Sequence, residues 1–135
     1  MRTLFIIPLV LMSLLSFPSW GLTMDDLVQR EGLYYKKFID VPFTGEVEGQ
    51  SLGKFKHGKK EGFWIDYYKD GNLFWKGEFR NGKKEGPWVY YLHDGNIHSR
   101  GVYQNDRMNG YWEYFLRGKL HGDTGTYKNG VKVSD

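Results

Sequence analysis

Two lysine pairs, Lys59-Lys60 and Lys83-Lys84, stand 24 residues apart in matching surroundings, and Arg107 follows Lys83 at the same step. Cations repeated at one spacing can align into a strip that holds phosphate headgroups or an acidic polysaccharide. Each pair is followed by an acid, Glu61 and Glu85. Those acids would cancel much of the field and leave charged, soluble sheet margins instead. The second candidate surface is Phe74-Trp75, where the next copy of the same stretch carries His98-Ser99. A ring that the repeat does not demand suits a partner hot spot or a sugar platform. Its structural alternative is packing against the N-terminal strand near Tyr35.

The remaining polar residues offer less chemistry. His57 and His93 fall at or beside turns, and His98 lies in a strand five residues beyond His93. A metal pair there would lack a fixed carboxylate, so these histidines, with His121, read as solvated loop residues. Asp25-Asp26 reads as a capped first turn rather than an acid–base pair. Asp70-Gly71-Asn72 is no phosphate loop, because no helix follows to present its N–H groups. No nucleophile stands beside a base, so the expectation is a protein without enzymatic activity, cofactor or metal. Cysteine is absent, which excludes disulfides and thiolate metal sites. The net charge of +3 is too weak to point to nucleic acid.

The elements that position these residues come from a repeat. Gly62-x-Trp64, Tyr67, Asp70-Gly71-Asn72, Gly77 and Asn81 return at Gly86-x-Trp88, Tyr91, Asp94-Gly95-Asn96, Gly101 and Asn105. A half copy, Gly53 to Gly62, precedes them, and a looser copy runs from Gly110-Tyr111-Trp112 to Gly130. Each unit has the grammar of a β-hairpin: strands Phe63–Lys69 and Leu73–Phe79, closed by Asp70-Gly71 and linked onward by Asn81-Gly82. Asp106 replaces Gly82 in the second link, which predicts a looser turn there. The irregular third unit reads as the cap of an array. Aromatics fall on both parities of the first strand; a bulge between Trp64 and Tyr67 would reconcile them. Stacked units would then align Trp64, Trp88 and Trp112 in a ladder. With few aliphatic residues after position 52, rings must supply the burial.

Before the repeats, Met1 to Gly21 combines a basic start, an apolar run and small residues before a cut after Gly21. This is the pattern of a secretory signal peptide; the run falls short of the roughly 20 residues a spanning helix needs. A secreted or periplasmic protein is expected, with an uncleaved membrane anchor as the alternative. Thr23–Arg30 reads as a short helix capped by Thr23. Leu33–Asp40 reads as a strand, and Glu46–Leu52 as strand plus loop. The expected fold is thus mainly β, an elongated antiparallel sheet of tandem hairpins. It divides into a signal segment (1–21), a helix and lead-in strand (22–52), hairpin repeats (53–130) and a tail (131–135).

The repeat resembles the MORN-repeat family in its bacterial variant form. The matching residues are Gly62, Trp64, Tyr67, Tyr68 and Gly71, then Gly77, Phe79, Asn81, Gly82, Lys83 and Gly86. The likeness spans about Gly53 to Gly130, departing at Leu92, at Asp106 and in the third unit. It implies a sheet that binds proteins or, in some members, lipid headgroups; bacterial members are often labelled antitoxin-like, which fits an exported chain badly. Choline-binding modules share the Trp and Tyr-Tyr repeats but not the Asn-Gly-Lys-x-x-Gly closure. The expected role is a protein-interaction module. The alternative is an envelope binder for anionic lipid or glycan, using Lys59, Lys60, Lys83, Lys84 and Arg107 with Phe74 and Trp75. Open sheet edges also allow a homodimer.

Overall fold

A computed structural model describes residues 21–135 of the chain. The signal segment expected over residues 1–21 lies, except for Gly21, outside the described residues. Among the described residues, no helix is long and apolar enough to cross a membrane.

Thr23 does cap a helical turn, but only one. Its Oγ1 accepts the Asp25 N–H, and the Asp26 carboxylate accepts the Thr23 N–H at 2.8 Å, over a single 3-10 turn at Met24–Asp26. The helix expected over Thr23–Arg30 ends there, and Leu27–Arg30 is strand β1. One turn fixes several dihedrals for few hydrogen bonds, so it propagates only when a longer apolar stripe rewards it. Here β1 instead pairs with β2, Leu33–Lys36, and Leu27 is buried. The strand expected to reach Asp40 stops at Lys36. Phe38 turns away at φ 65°, fully exposed, and Pro42 bridges back to Tyr35.

The remaining strands follow in order: β3 (Gly45–Val47), β4 (Ser51–Lys56), β5 (Lys59–Tyr67), β6 (Leu73–Arg80), β7 (Lys83–Tyr91) and β8 (Ile97–Gln104). They continue with β9 (Arg107–Met108), β10 (Gly110–Leu116), β11 (Lys119–Leu120), β12 (Gly125–Lys128) and β13 (Val131–Ser134). Together they form one 11-stranded antiparallel sheet of consecutive hairpins, edged by β3 and β13. The residues set apart above as a C-terminal tail form β13.

Two kinds of turn alternate along this sheet. At one margin, pairs such as His57-Gly58 and Asn81-Gly82 take positive φ at both positions, which suits the twist of a two-residue hairpin. Asn105-Asp106 does the same at φ 48° and 66°, so the link is as tight as its counterparts. Asp106 is compensated: its Oδ1 accepts the Lys84 N–H at 2.7 Å. At the other margin the chain closes three-residue loops. Tyr68 and Asn72 pair across Lys69-Asp70-Gly71, with Gly71 alone at positive φ, 88°. The third unit replaces this loop with the two-residue turn Arg117-Gly118, and its sheet register resumes at Gly125.

The phase shift falls within the expected interval, between Trp64 and Tyr67. Register slips between Asp66 and Tyr67, where Phe74 is left without a partner, and again between Tyr90 and Tyr91, at His98. A second slip sets Gly53 and Gly77 against the Gly-x-Trp of the following strand. Both faces consequently carry rings. Tyr90 lies on the Trp88 face, whereas Tyr91 sits near Lys76.

Candidate ring and lysine face

Trp64, Trp88 and Trp112 are almost wholly buried, yet they do not touch as a ladder of indoles. Rings of the intervening strands stand between them. Phe55, Trp64, Phe79, Trp88, Tyr103 and Trp112 form one chain, with centroids 5.0, 6.0, 5.2, 5.6 and 5.0 Å apart. Successive planes cross at 76–84°, the edge-to-face geometry that ring quadrupoles favour. Each indole lies over a glycine of the preceding strand: Trp64 over Gly53, Trp88 over Gly77, Trp112 over Gly101. Each indole N–H donates to the carbonyl one residue beyond that glycine, on Lys54, Glu78 and Val102, at 3.0–3.2 Å. The recurrence of Gly77 at Gly101 was visible in the sequence; the partnership of Phe79 and Tyr103 with the tryptophans was not, because each ring links the tryptophan of its own unit to that of the next.

The five candidate cations separate. Side chains alternate along a strand, so Lys59 and Lys83 cannot share a face with Lys60 and Lys84. Lys60 turns onto the ring face, its Nζ 4.4 Å from Trp64 and 5.0 Å from Phe79. Lys84 repeats the placement 4.8 Å from both Trp88 and Tyr103, and donates to the Tyr90 hydroxyl at 2.9 Å. At the end of the second unit the same position holds Met108, which accepts from the Tyr114 hydroxyl. Lys83 and Arg107 are exposed, and the Lys59 stem lies along Gly82 of the next unit. The expected single column is therefore two rows, one sunk among rings and one outside.

The acids expected to neutralise these lysines are used elsewhere. Glu61 accepts the Asn81 N–H at 2.8 Å and Glu85 the Asn105 N–H at 3.0 Å, each tying its strand to the next turn. Among the described residues, none of the five cations forms an ion pair. Burial pushes the Lys60 ammonium below its ordinary range, opposed by Asp66 and reinforced by nearby Lys84. Asp66 itself is held by the Ser51 hydroxyl. Burial also raises Tyr90, and it pushes Tyr103 up to about 12, helped by the Tyr90–Tyr103 hydroxyl contact. Both phenols thus remain neutral hydrogen-bond donors at physiological pH.

Trp75 does not pack on Tyr35. It stacks on Trp88 at 4.7 Å and 27°, half-buried, with Lys60 Nζ 5.7 Å from its ring. Tyr35 is covered instead by Arg30. Phe74 turns away to pack on Tyr68 at 4.6 Å. Two features were missed in sequence. One is a groove of about 410 Å³ along the turn margin, lined by Tyr34, Lys60, Phe79 and Lys83 among others. The other is an apolar groove of about 490 Å³ lined by Leu52, Phe63 and Ile65. Leu52 and Ile65 are direct cross-strand partners there, and Phe63 is 80% exposed.

The histidines do not converge on a metal. His93 stacks on Tyr68 at 3.7 Å and bonds Asp70 at 3.0 Å, whereas His98 contacts Ser99. Among the described residues, no group of three His, Asp or Glu side chains could hold an ion. No family model matches the chain, and no curated protein is similar to it.

Proposed function

We propose that this chain is a non-enzymatic, MORN-like repeat module, exported from the cytoplasm, that binds a protein partner across its extended sheet. The carrying observation is the apolar strip at Leu52, Phe63 and Ile65, on the face opposite the buried tryptophans. Phe63 stands where the second unit has Pro87 and the third Tyr111, so the repeat frame does not require it. A large ring left 80% exposed beside an apolar groove is the anatomy of an interface anchor. Export is supported by the pattern of the first 21 residues, and the family reading by the Gly-x-Trp and Asn-Gly-Lys-x-x-Gly positions.

The test is capture from the native cell envelope by the full chain and by Phe63→Ser. A protein retained at high salt by the first and lost with the second supports the reading. Identical captured sets would oppose it.

A second reading, an anion binder, is favoured by Lys60 and Lys84, whose ammonium groups meet rings rather than carboxylates. Salt-sensitive binding of anionic ligands tests that reading, because exposed ionic contacts weaken as screening grows.

A further inference from the structure

We propose that the row Lys60–Trp75–Lys84 on the ring face binds an acidic polysaccharide, its ammonium groups pairing with uronate carboxylates and its rings lying against sugar faces. This inference rests on the anion-binding reading and goes beyond it in naming the ligand class and the face.

Three observations carry it. First, two cations without ion pairs lie on one face, one repeat apart. Strands are spaced roughly 4.8 Å, so a two-strand unit advances roughly 10 Å, a length comparable with one disaccharide. In a polyuronate, the carboxylates of every second sugar recur at about that pitch. Second, Trp75 lies beside Lys60, its ring 5.7 Å from Nζ, and stacks on Trp88, which Lys84 approaches to 4.8 Å. Aromatic surface carrying a few placed polar groups is the chemistry by which small ligands are held. Third, the Tyr90 and Tyr103 hydroxyls lie 3.2 Å apart beside Lys84, and the one that does not donate in that contact is left to donate to a sugar hydroxyl.

The depth of the row argues against a membrane surface as its occupant. A bilayer is a plane that reaches protruding cations such as Lys83 and Arg107. An ammonium held among Trp64, Trp75 and Phe79 is open to a slender chain instead. Asp66 is the acid whose charge reaches Lys60, but it is bonded to Ser51 and forms no ion pair with the ammonium.

The experiment titrates the full chain with an oligogalacturonate, following tryptophan fluorescence. Anionic phosphatidylglycerol vesicles and a neutral oligosaccharide are the comparison ligands. The key variant is Lys60→Met with Lys84→Met, because Met108 already fills this position one repeat after Lys84. The expected result is oligogalacturonate binding that weakens about tenfold or more in that variant and is unchanged by Lys59→Ser with Lys83→Ser. Equal affinity in the methionine variant, or loss only with the serine variant, overturns the proposal. Lysine-dependent binding of vesicles without oligogalacturonate binding overturns the glycan assignment but keeps the anion reading. Binding of neither ligand removes both. If the methionine variant fails to fold, wild-type protein with methyl-esterified oligogalacturonate decides the matter: lost binding supports the carboxylate contact, and unchanged binding contradicts it.

Discussion

The indole of Trp88 lies flat over Gly77 of the neighbouring strand and donates its N–H to the next carbonyl, that of Glu78, at 3.1 Å. A Cβ on Gly77 would run into the ring itself. The glycine is required for space here, not for backbone conformation, since its φ is not among the positive values. Gly77→Ala should therefore destabilise the protein by about 1–3 kcal/mol or more, the usual cost of overpacking. Gly71→Ala tests the contrast: nothing lies near its Cβ, and only its φ of 88° is strained. Chemical denaturation of both variants, with near-ultraviolet circular dichroism, should show loss of indole packing in the first alone.

Trp88→Ala removes a ring that touches Phe79, Trp75, Tyr90 and Tyr103. A loss of about 3–5 kcal/mol is expected for a buried tryptophan. Stability in a repeat array resides in contacts between neighbours, so the damage should spread to both flanking units. Urea denaturation followed through the remaining tryptophans checks this; a loss confined to one unit would contradict it.

Lys60→Met should raise stability at neutral pH, because burial disfavours the charged ammonium. The folded-state pKa of Lys60 is lowered below 10.5, so in the window between the two values the unfolded chain holds more protons. Stability of the wild type should therefore rise with pH through that window as far as Lys60 contributes, and the advantage of the methionine variant should shrink. Melting curves at neutral pH and near pH 10.5 measure the difference; an advantage that grows with pH would be the wrong sign.

Asp106→Ala should cost about 1–2 kcal/mol, since it removes an acceptor from the Lys84 N–H and leaves a residue with a Cβ at φ 66°. Asp106→Gly relieves the backbone but not the lost bond, so its cost should be smaller. Thermal melts of the pair separate the two contributions.

Period and turn chemistry made the hairpin architecture legible in sequence, because Gly-x-Trp and Asn-Gly recur at one interval. The lead-in was misread for a local reason. Thr23, Asp25 and Asp26 are a genuine cap, but a cap does not say how many turns follow, and Leu27 is buried as a strand residue. The lysine site was half legible. Residue type and interval marked Lys60 and Lys84, but which lysine of each pair faces the rings depends on strand parity through a bulge. Phe63 gave no signal, because an exposed ring and a buried one look alike until the opposite face is known.

Hydrogen exchange of the indole N–H groups, resolved by nuclear magnetic resonance, tests the central claim that three tryptophans seated on three glycines hold the array together. Trp64, Trp88 and Trp112 should exchange slowly and together, at the rate of global unfolding, and half-buried Trp75 faster. Exchange of the three at the rate of Trp75, or at three unrelated rates, would contradict it.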